Sequence, residues 1–397
     1  MILLKRIKID SIDALRKALQ TSAELEHATI PPYLTAMFSL ANTENTKIAG
    51  LIHSVVIEEM LHLTIACNIL NAVGGSPVLN KPSFVPSYPG PLPGGVEGGL
   101  TVPIAKFSKN LVKNVFMVIE EPEEPIDIKL GLHLMARTEL TDSGNLEALK
   151  AELQERAAAL EDKENLTIGE YYGYIKILLE VLEITAQLEC STIFTGDPER
   201  QVVDEKWFPS NELFAVTDLE SAKKAIDLIV DQGEGSSTDP FIDSDDEAAG
   251  AHEPAHFYRF EEIYMGKELK KDLRAKVGYS YSGVEIPFFP SQVPNMKENP
   301  KTSNYPPSSL AFLNSNLFNY NYTNLLNSLH ETFNGAPDKL SNAMGSMYAL
   351  RLYALKLMAL PDPNNPGYVA GPSFEYVIDE DLTKEELTML KSHKSRG

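Results

Sequence analysis

Residues 251–264 read AHEPAHFYRFEEIY and contain two overlapping patterns of metal-binding side chains. His252-Glu253-Pro254-Ala255-His256 is an H-E-x-x-H. On a regular helix, two histidines one turn apart bind zinc and the glutamate between them serves as the base in peptide hydrolysis. Glu253-x-x-His256 by itself is half of a carboxylate-bridged dimetal site. Pro254 weighs against the hydrolytic reading. A residue before proline is pushed out of the helical region, so 252–256 is at best the first turn of a helix. The same proline makes His256 the firmer ligand, with His252 in reserve.

A second Glu-x-x-His lies in residues 46–73. Ile48, Ile52, Val55, Glu59, His62, Ala66 and Ile69 alternate spacings of four and three, the inward face of a packed helix. Ionisable side chains in such a line are costly to bury unless they pair or bind a metal. Their i, i+3 separation aims both at one point. The alternative is that Glu59 hydrogen-bonds a core histidine while its neighbour Glu58 faces solvent.

Residues 11–42 repeat the device. Leu15, Leu19, Ser22, Glu26, Ile30, Tyr33, Met37 and Leu40 form a seam with Glu26 at its centre. A polar turn, NTEN, joins the two segments into an antiparallel hairpin that sets Glu26 opposite Glu59. The alternative here is a core glutamate bonded to Tyr33 or His62. Tyr33 itself is either a pocket residue over the site or an ordinary core tyrosine.

Bundles that hold two iron or manganese ions use a Glu from each of two helices and a Glu-x-x-His from each of two others. One Glu therefore remains to be found. Glu170 lies on an apolar line with Tyr174, Ile177, Val181 and Ile184, but Thr167-x-x-Glu170 fits a capping box equally well. Glu189, on another inward line, is the reserve. Glu180 and Glu183 share a polar face with Lys176 and Gln187 and are expected in solvent.

Positioning these residues takes a mainly α chain. Core helices are expected at about 11–42, 46–73, 167–194 and 252–265, with a further helical stretch over 218–237 and C-terminal helices at about 321–333 and 337–360. Pro31-Pro32 should kink the first helix by removing amide donors, and Gly74-Gly75 with Pro77 should end the second. Residues 76–166 and 279–318 read as Pro/Gly-rich, irregular insertions, the first carrying an exposed charged helix over 143–165. An excursion of about 90 residues between two helix pairs is far beyond ordinary bundle connections and suits a lid or pocket wall. All 397 residues are read as one elaborated domain without internal repeats.

Hydrophobic residues make up 43% of the chain, which places it among soluble globular proteins. A net charge of -21 argues against nucleic acid or an anionic membrane as partner, since both need clustered Lys and Arg. Cys67 and Cys190 stand in apolar helical patterns and are expected to be buried free thiols, with no disulfide framework. MILLKRIKID is too short for a signal peptide, and no uninterrupted apolar run spans a bilayer, so the expected compartment is the cytoplasm.

ELEHATIPPYLTAMFSL, IEEMLHLTIACNILNAVGGSP, TIGEYYGYI, HEPAHFYRFEEI and AGPSFEY resemble the ferritin-like domain of iminophenyl-pyruvate dimer synthases, enzymes of violacein- and rebeccamycin-type indole pathways. The similarity runs over about residues 8–377 and corresponds to the ferritin-like portion of those longer enzymes. It implies a ferritin-like helical bundle, here with long insertions and extra C-terminal helices, and a metal site. It carries over Glu26, Glu59, His62, Glu170, Glu253 and His256 as the matching ligand positions. The expected cofactor is a pair of metal ions, iron first, with manganese or zinc as alternatives. The expected activity is O2- or peroxide-dependent oxidation of a small organic substrate, with a homo-oligomer or a partner enzyme compatible with it. Its rivals are a zinc peptidase centred on His252 and His256, and a non-catalytic metal-binding or interaction module.

Overall fold

Two long helices, α1 (Ile12–Ser39) and α2 (Thr46–Ala72), form an antiparallel hairpin. They open a computed structural model that describes residues 11–41, 43–96, 98–122, 146–161, 163, 166–235, 239–242 and 253–378. Arg16 ties the open end of the hairpin. Its Nε and Nη2 donate over 3.0 and 2.9 Å to the Val73 carbonyl, where α2 runs out of amide partners. α1 continues through Pro31 and Pro32. The amide missing at Pro32 would have bonded the Ala28 carbonyl, and the Tyr88 hydroxyl donates there instead over 2.7 Å. α2 is long and apolar enough to cross a membrane by length and composition, yet 61% of that stretch is buried inside the protein.

Beyond residue 76 the chain runs through short turns into one composite helical piece. α3 (Lys109–Leu111) passes into a π-helical turn, Val112–Phe116, and then α4 (Met117–Ile119). Ser108 Oγ caps its start by accepting the Leu111 amide at 3.0 Å. The wide π turn resets the face that follows it and leaves Glu120 buried.

α5 (Leu146–Glu161) packs on α6 (Ile168–Leu188), burying Leu153 and Ala157. α7 (Leu219–Gly233) is capped by Asp218, whose carboxylate accepts the Ser221 amide at 2.8 Å. α8 (His256–Met265) ends at Gly266, whose φ of 78° turns the chain into β1 (Lys267–Lys271). β1 pairs antiparallel with β2 (Tyr279–Glu285), Leu269 opposite Tyr281. α9 (Leu310–Phe333) and α10 (Leu340–Met358) form a second antiparallel pair. The first hairpin is central, with α6 and α10 packed on α1 and α7, α8 and α9 packed on α2.

Several boundaries differ from the sequence reading. α8 starts at His256, because Pro254 keeps the preceding residues extended in a bridge with Phe241. Residues 279–318, read as irregular, contain β2 and the first turns of α9. Asparagine is a poor helix former, and Asn314, Asn316, Asn319 and Asn321 masked that start. Asn314 and Asn321 instead donate to the carbonyls one turn back, Leu310 at 2.8 Å and Leu317 at 2.7 Å. Cys67 is buried, but Cys190 is exposed beyond the end of α6, with a φ of 56°.

Candidate metal centre

The two inward seams are buried except at the half-buried Met37, and their ionisable residues meet. Glu59 and His62 on α2, one turn apart, face His256, the first residue of α8. Each of the three offers a ligand atom within 4.8 Å of the others, and all are buried. Donors bonded at about 2.1 Å to one ion lie at most about 4.2 Å apart, so a small closure brings them into a first coordination shell. Glu26, from the facing seam of α1, puts Oε2 3.6 Å from His62 Nδ1. A fifth group arrives from the excursion after α2: Glu120 Oε2 is 3.4 Å from His256 Nδ1, and Glu59 Oε1 is 3.0 Å from the same nitrogen.

Both imidazoles are held from behind. His62 Nε2 meets Gln232 Oε1 of α7 at 2.8 Å, and His256 Nε2 meets Glu58 Oε2 at 2.9 Å. Their Nδ1 atoms are left for the cluster. His256 Nδ1 is fully buried and makes no hydrogen bond, despite the carboxylates beside it. An orphaned ring nitrogen facing carboxylate oxygens, with its other nitrogen anchored by an outer oxygen, is the arrangement of a metal-binding histidine. The donor set, three carboxylates and two imidazoles, suits a borderline divalent cation.

The carboxylates are anchored too. Thr29 Oγ1 donates to Glu59 Oε2 at 2.7 Å, Tyr33 Oη to Glu120 Oε1 at 2.5 Å, and Tyr172 Oη of α6 to Glu26. Tyr33 packs against Phe116 and Phe260, ring centroids 4.6 and 5.1 Å away, sealing that side from water. Behind His256, Arg259 is fully buried and grips Glu58 with Nη1 and Nη2, each at 2.9 Å.

Crowding of like charge shows in the proton affinities. Burial, with Glu120 next to it, raises Glu59 to about 7. Burial alone would keep protons off the histidines; hydrogen bonding and charge from Glu26 and Glu59 overcome it at His62, which is raised. At His256 the neighbouring carboxylates of Glu120, Glu58 and Glu59 outweigh burial, and the ring is raised well above its ordinary value. Burial opposes ionisation of Glu58, but Arg259 and His256 outweigh it and hold that carboxyl at about 2. Without a cation the cluster balances its charge with protons. A divalent ion would displace them.

The structure brings together Glu26, Glu59, His62 and His256, with Tyr33 beside them. It does not bring Glu170 or Glu253. Glu170 closes the capping box with Thr167 and pairs with Lys163. Glu253 has a side chain 62% exposed and lies 3.5 Å from Arg259 Nη2. His252 lies outside the described residues. A zinc-peptidase helix is therefore not formed here, since Glu253 precedes α8 instead of lying within it. Glu58, weighed as a solvent-facing residue, is in the buried network. Glu189 is exposed, whereas Glu183 is buried and accepts the Ile193 amide at 2.9 Å. Glu180 pairs with Lys223.

Sequence reasoning missed Glu120, Gln232 and Arg259. Glu120 follows an apolar run, VFMVI, too short to show a helical face. Gln232 ends an amphipathic helix, and a neutral amide carries no signal of its own. Arg259 sits three residues past His256, on the same face, and that spacing is the one cue that was available.

The sequence model of a family described as ferritin-like matches residues 19–265. Among solved structures, the crystal structure of a ferritin-like protein from Caulobacter vibrioides is similar with a TM-score of 0.54 and 21% identity, over 90% of this chain and 97% of that one. At that identity the likeness is one of fold. No curated protein matches the sequence.

Proposed function

The chain belongs to the ferritin-like family, and on that premise we propose that it is a dimetal carboxylate oxidoreductase acting on a small organic molecule. The observation that carries this reading is the buried convergence of Glu26, Glu59, Glu120, His62 and His256, with His256 Nδ1 making no hydrogen bond. Five donor residues exceed what one structural ion needs and suit two ions, iron before manganese or zinc. Bound ferrous ions would supply the electrons that reduce O2 or peroxide.

The chain's own residues do the rest. Thr29, Tyr33 and Tyr172 hold the three carboxylates in orientation by hydrogen bonds. Gln232 and Glu58 fix the imidazoles with Nδ1 inward. Tyr33, Phe116 and Phe260 keep water from that flank. Within the family, the motifs around Glu26 and Glu59 favour the iminophenyl-pyruvate dimer synthase branch, and a cytoplasmic enzyme working as a homo-oligomer or beside a partner enzyme fits that placement.

Stopped-flow oxidation of ferrous-loaded protein tests the reading. A single-turnover optical change saturating near two irons per chain is expected. Continued uptake of tens of irons into a mineral would make it a store, and bound iron inert to O2 and peroxide would leave a non-catalytic metal-binding module.

A further inference from the structure

α10 lies outside the segment matched to the family, and where it packs on the α1–α2 hairpin a cleft remains. The cleft has a volume of about 260 Å³. Its walls are apolar: Leu34 and Phe38 of α1, Val56 of α2 and Met347 of α10 are buried side chains that line it. It shares no residue with the metal-centre cluster. Gly50 of α2 forms part of the wall, and a Cβ placed there meets nothing within 4 Å. A glycine in a helix interior is destabilising relative to alanine, so here helix stability is given up beside open space.

The mouth is polar, and the charge it carries is the Arg351 guanidinium. His53 and Arg351 both line it. Neither makes an ion pair or a hydrogen bond among the described residues, in a chain whose net charge is -21. The Tyr348 ring stands beside His53 at 5.8 Å and is backed by Trp207 at 6.1 Å. Trp207 Nε1 in turn donates to Ser341 Oγ over 2.9 Å, so the aromatic side of the mouth is fixed in place. Burial and the Arg351 charge both lower the proton affinity of His53. A neutral imidazole beside a guanidinium offers one hydrogen-bond donor and one full positive charge to the same ligand group.

From this pairing of an apolar cleft with an Arg351–His53 mouth that no described residue compensates, we infer that the cleft binds a small amphipathic carboxylate, its tail among Leu34, Phe38, Val56 and Met347 and its head on Arg351 and His53. The volume falls below the roughly 300 Å³ at which pockets for drug-sized ligands begin, which sets the size class. The tail contributes by leaving water. The head contributes a charge-assisted hydrogen bond, which decides between ligands with the same tail.

The test is titration calorimetry of the purified full chain with octanoate, octan-1-ol and octylammonium. Octanoate should bind, and the uncharged and cationic analogues at least about tenfold more weakly, the factor set by a hydrogen bond to a charged partner. Arg351→Gln should weaken octanoate about tenfold and leave octanol unchanged. Gly50→Phe should abolish binding of both by filling the cleft. Metal content should be the same in both variants, which separates this inference from the reading of the metal centre. Absence of octanoate binding, octanol binding as tightly as octanoate, or unchanged octanoate affinity in folded Arg351→Gln would overturn it. So would a Gly50→Phe chain that changes its oligomeric state without octanoate ever binding the parent, which would make the cleft a contact between copies.

Discussion

The rings of His62 and His256 stack with centroids 5.4 Å apart, and each turns Nε2 outward to an oxygen and Nδ1 inward to the carboxylates. Two histidines 194 positions apart in sequence thus turn matching ring nitrogens toward one buried space. Stacked imidazoles repel if both are charged, so the arrangement favours a state in which a shared cation replaces their protons.

Metal content should follow the observed cluster and not the full set of Glu-x-x-His and Glu positions in the sequence. Elemental analysis of the parent should give more than one ion per chain. Glu59→Ala and Glu120→Gln should lose most of it, while Glu170→Gln and Glu253→Gln retain it. Equal content in parent and Glu59→Ala would remove the site.

The hydroxyls behind the carboxylates should tune affinity without creating it. Outer groups that orient metal ligands typically contribute about 10–100-fold in affinity. Tyr33→Phe, which frees Glu120, should weaken the less tightly held ion by that order in a competition titration with a chelator. Unchanged affinity would show that Glu120 needs no anchor.

Arg259 should matter for stability as much as for metal. Its removal in Arg259→Met leaves Glu58 with His256 as its one remaining charge partner among the described residues, a defect of up to about 3–5 kcal/mol. Urea unfolding at pH 7 should show a loss of that order, and Glu58→Gln combined with Arg259→Met should recover part of it. Because the folded-state value of Glu58 is depressed, to about 2, its contribution is complete above the unfolded value near 4.5 and fades as pH falls toward 2.

Glu262 should act in the opposite direction. It is buried under β1, accepting the Leu269 amide at 2.7 Å, and burial raises its carboxyl to about 7. Below pH 4.5 the group is protonated in both states and has no effect. Between about 4.5 and 7 the unfolded chain ionises first, so stability falls with rising pH and levels off above 7. The decrement approaches about 3 kcal/mol. Thermal unfolding of Glu262→Gln should show a higher Tm than the parent at pH 8 and little difference at pH 4.5. A larger gain at the lower pH would contradict the assignment.

The amino-acid sequence alone determined the hairpin and the inward faces of Glu26, Glu59 and His62. Long helices repeat every 3.6 residues, and an ionisable residue on an otherwise apolar line has one direction in which to point. The effect of Pro254 was also legible, since it acts on the backbone of its own neighbour. Long-range partners were not. Glu120 reaches the centre from a helical piece too short to carry a period, delivered by a π turn that sequence pattern does not announce. Glu58 is drawn inward because Arg259, 201 positions away, compensates its charge. Glu170 faces its own helix start because a capping box satisfies it locally at less cost than burial in the bundle. Only the packing of α8, α7 and the π-helical piece on α2 decided which carboxylates face one another, because the cost of burying a charge depends on what surrounds it in space and not on its neighbours along the chain.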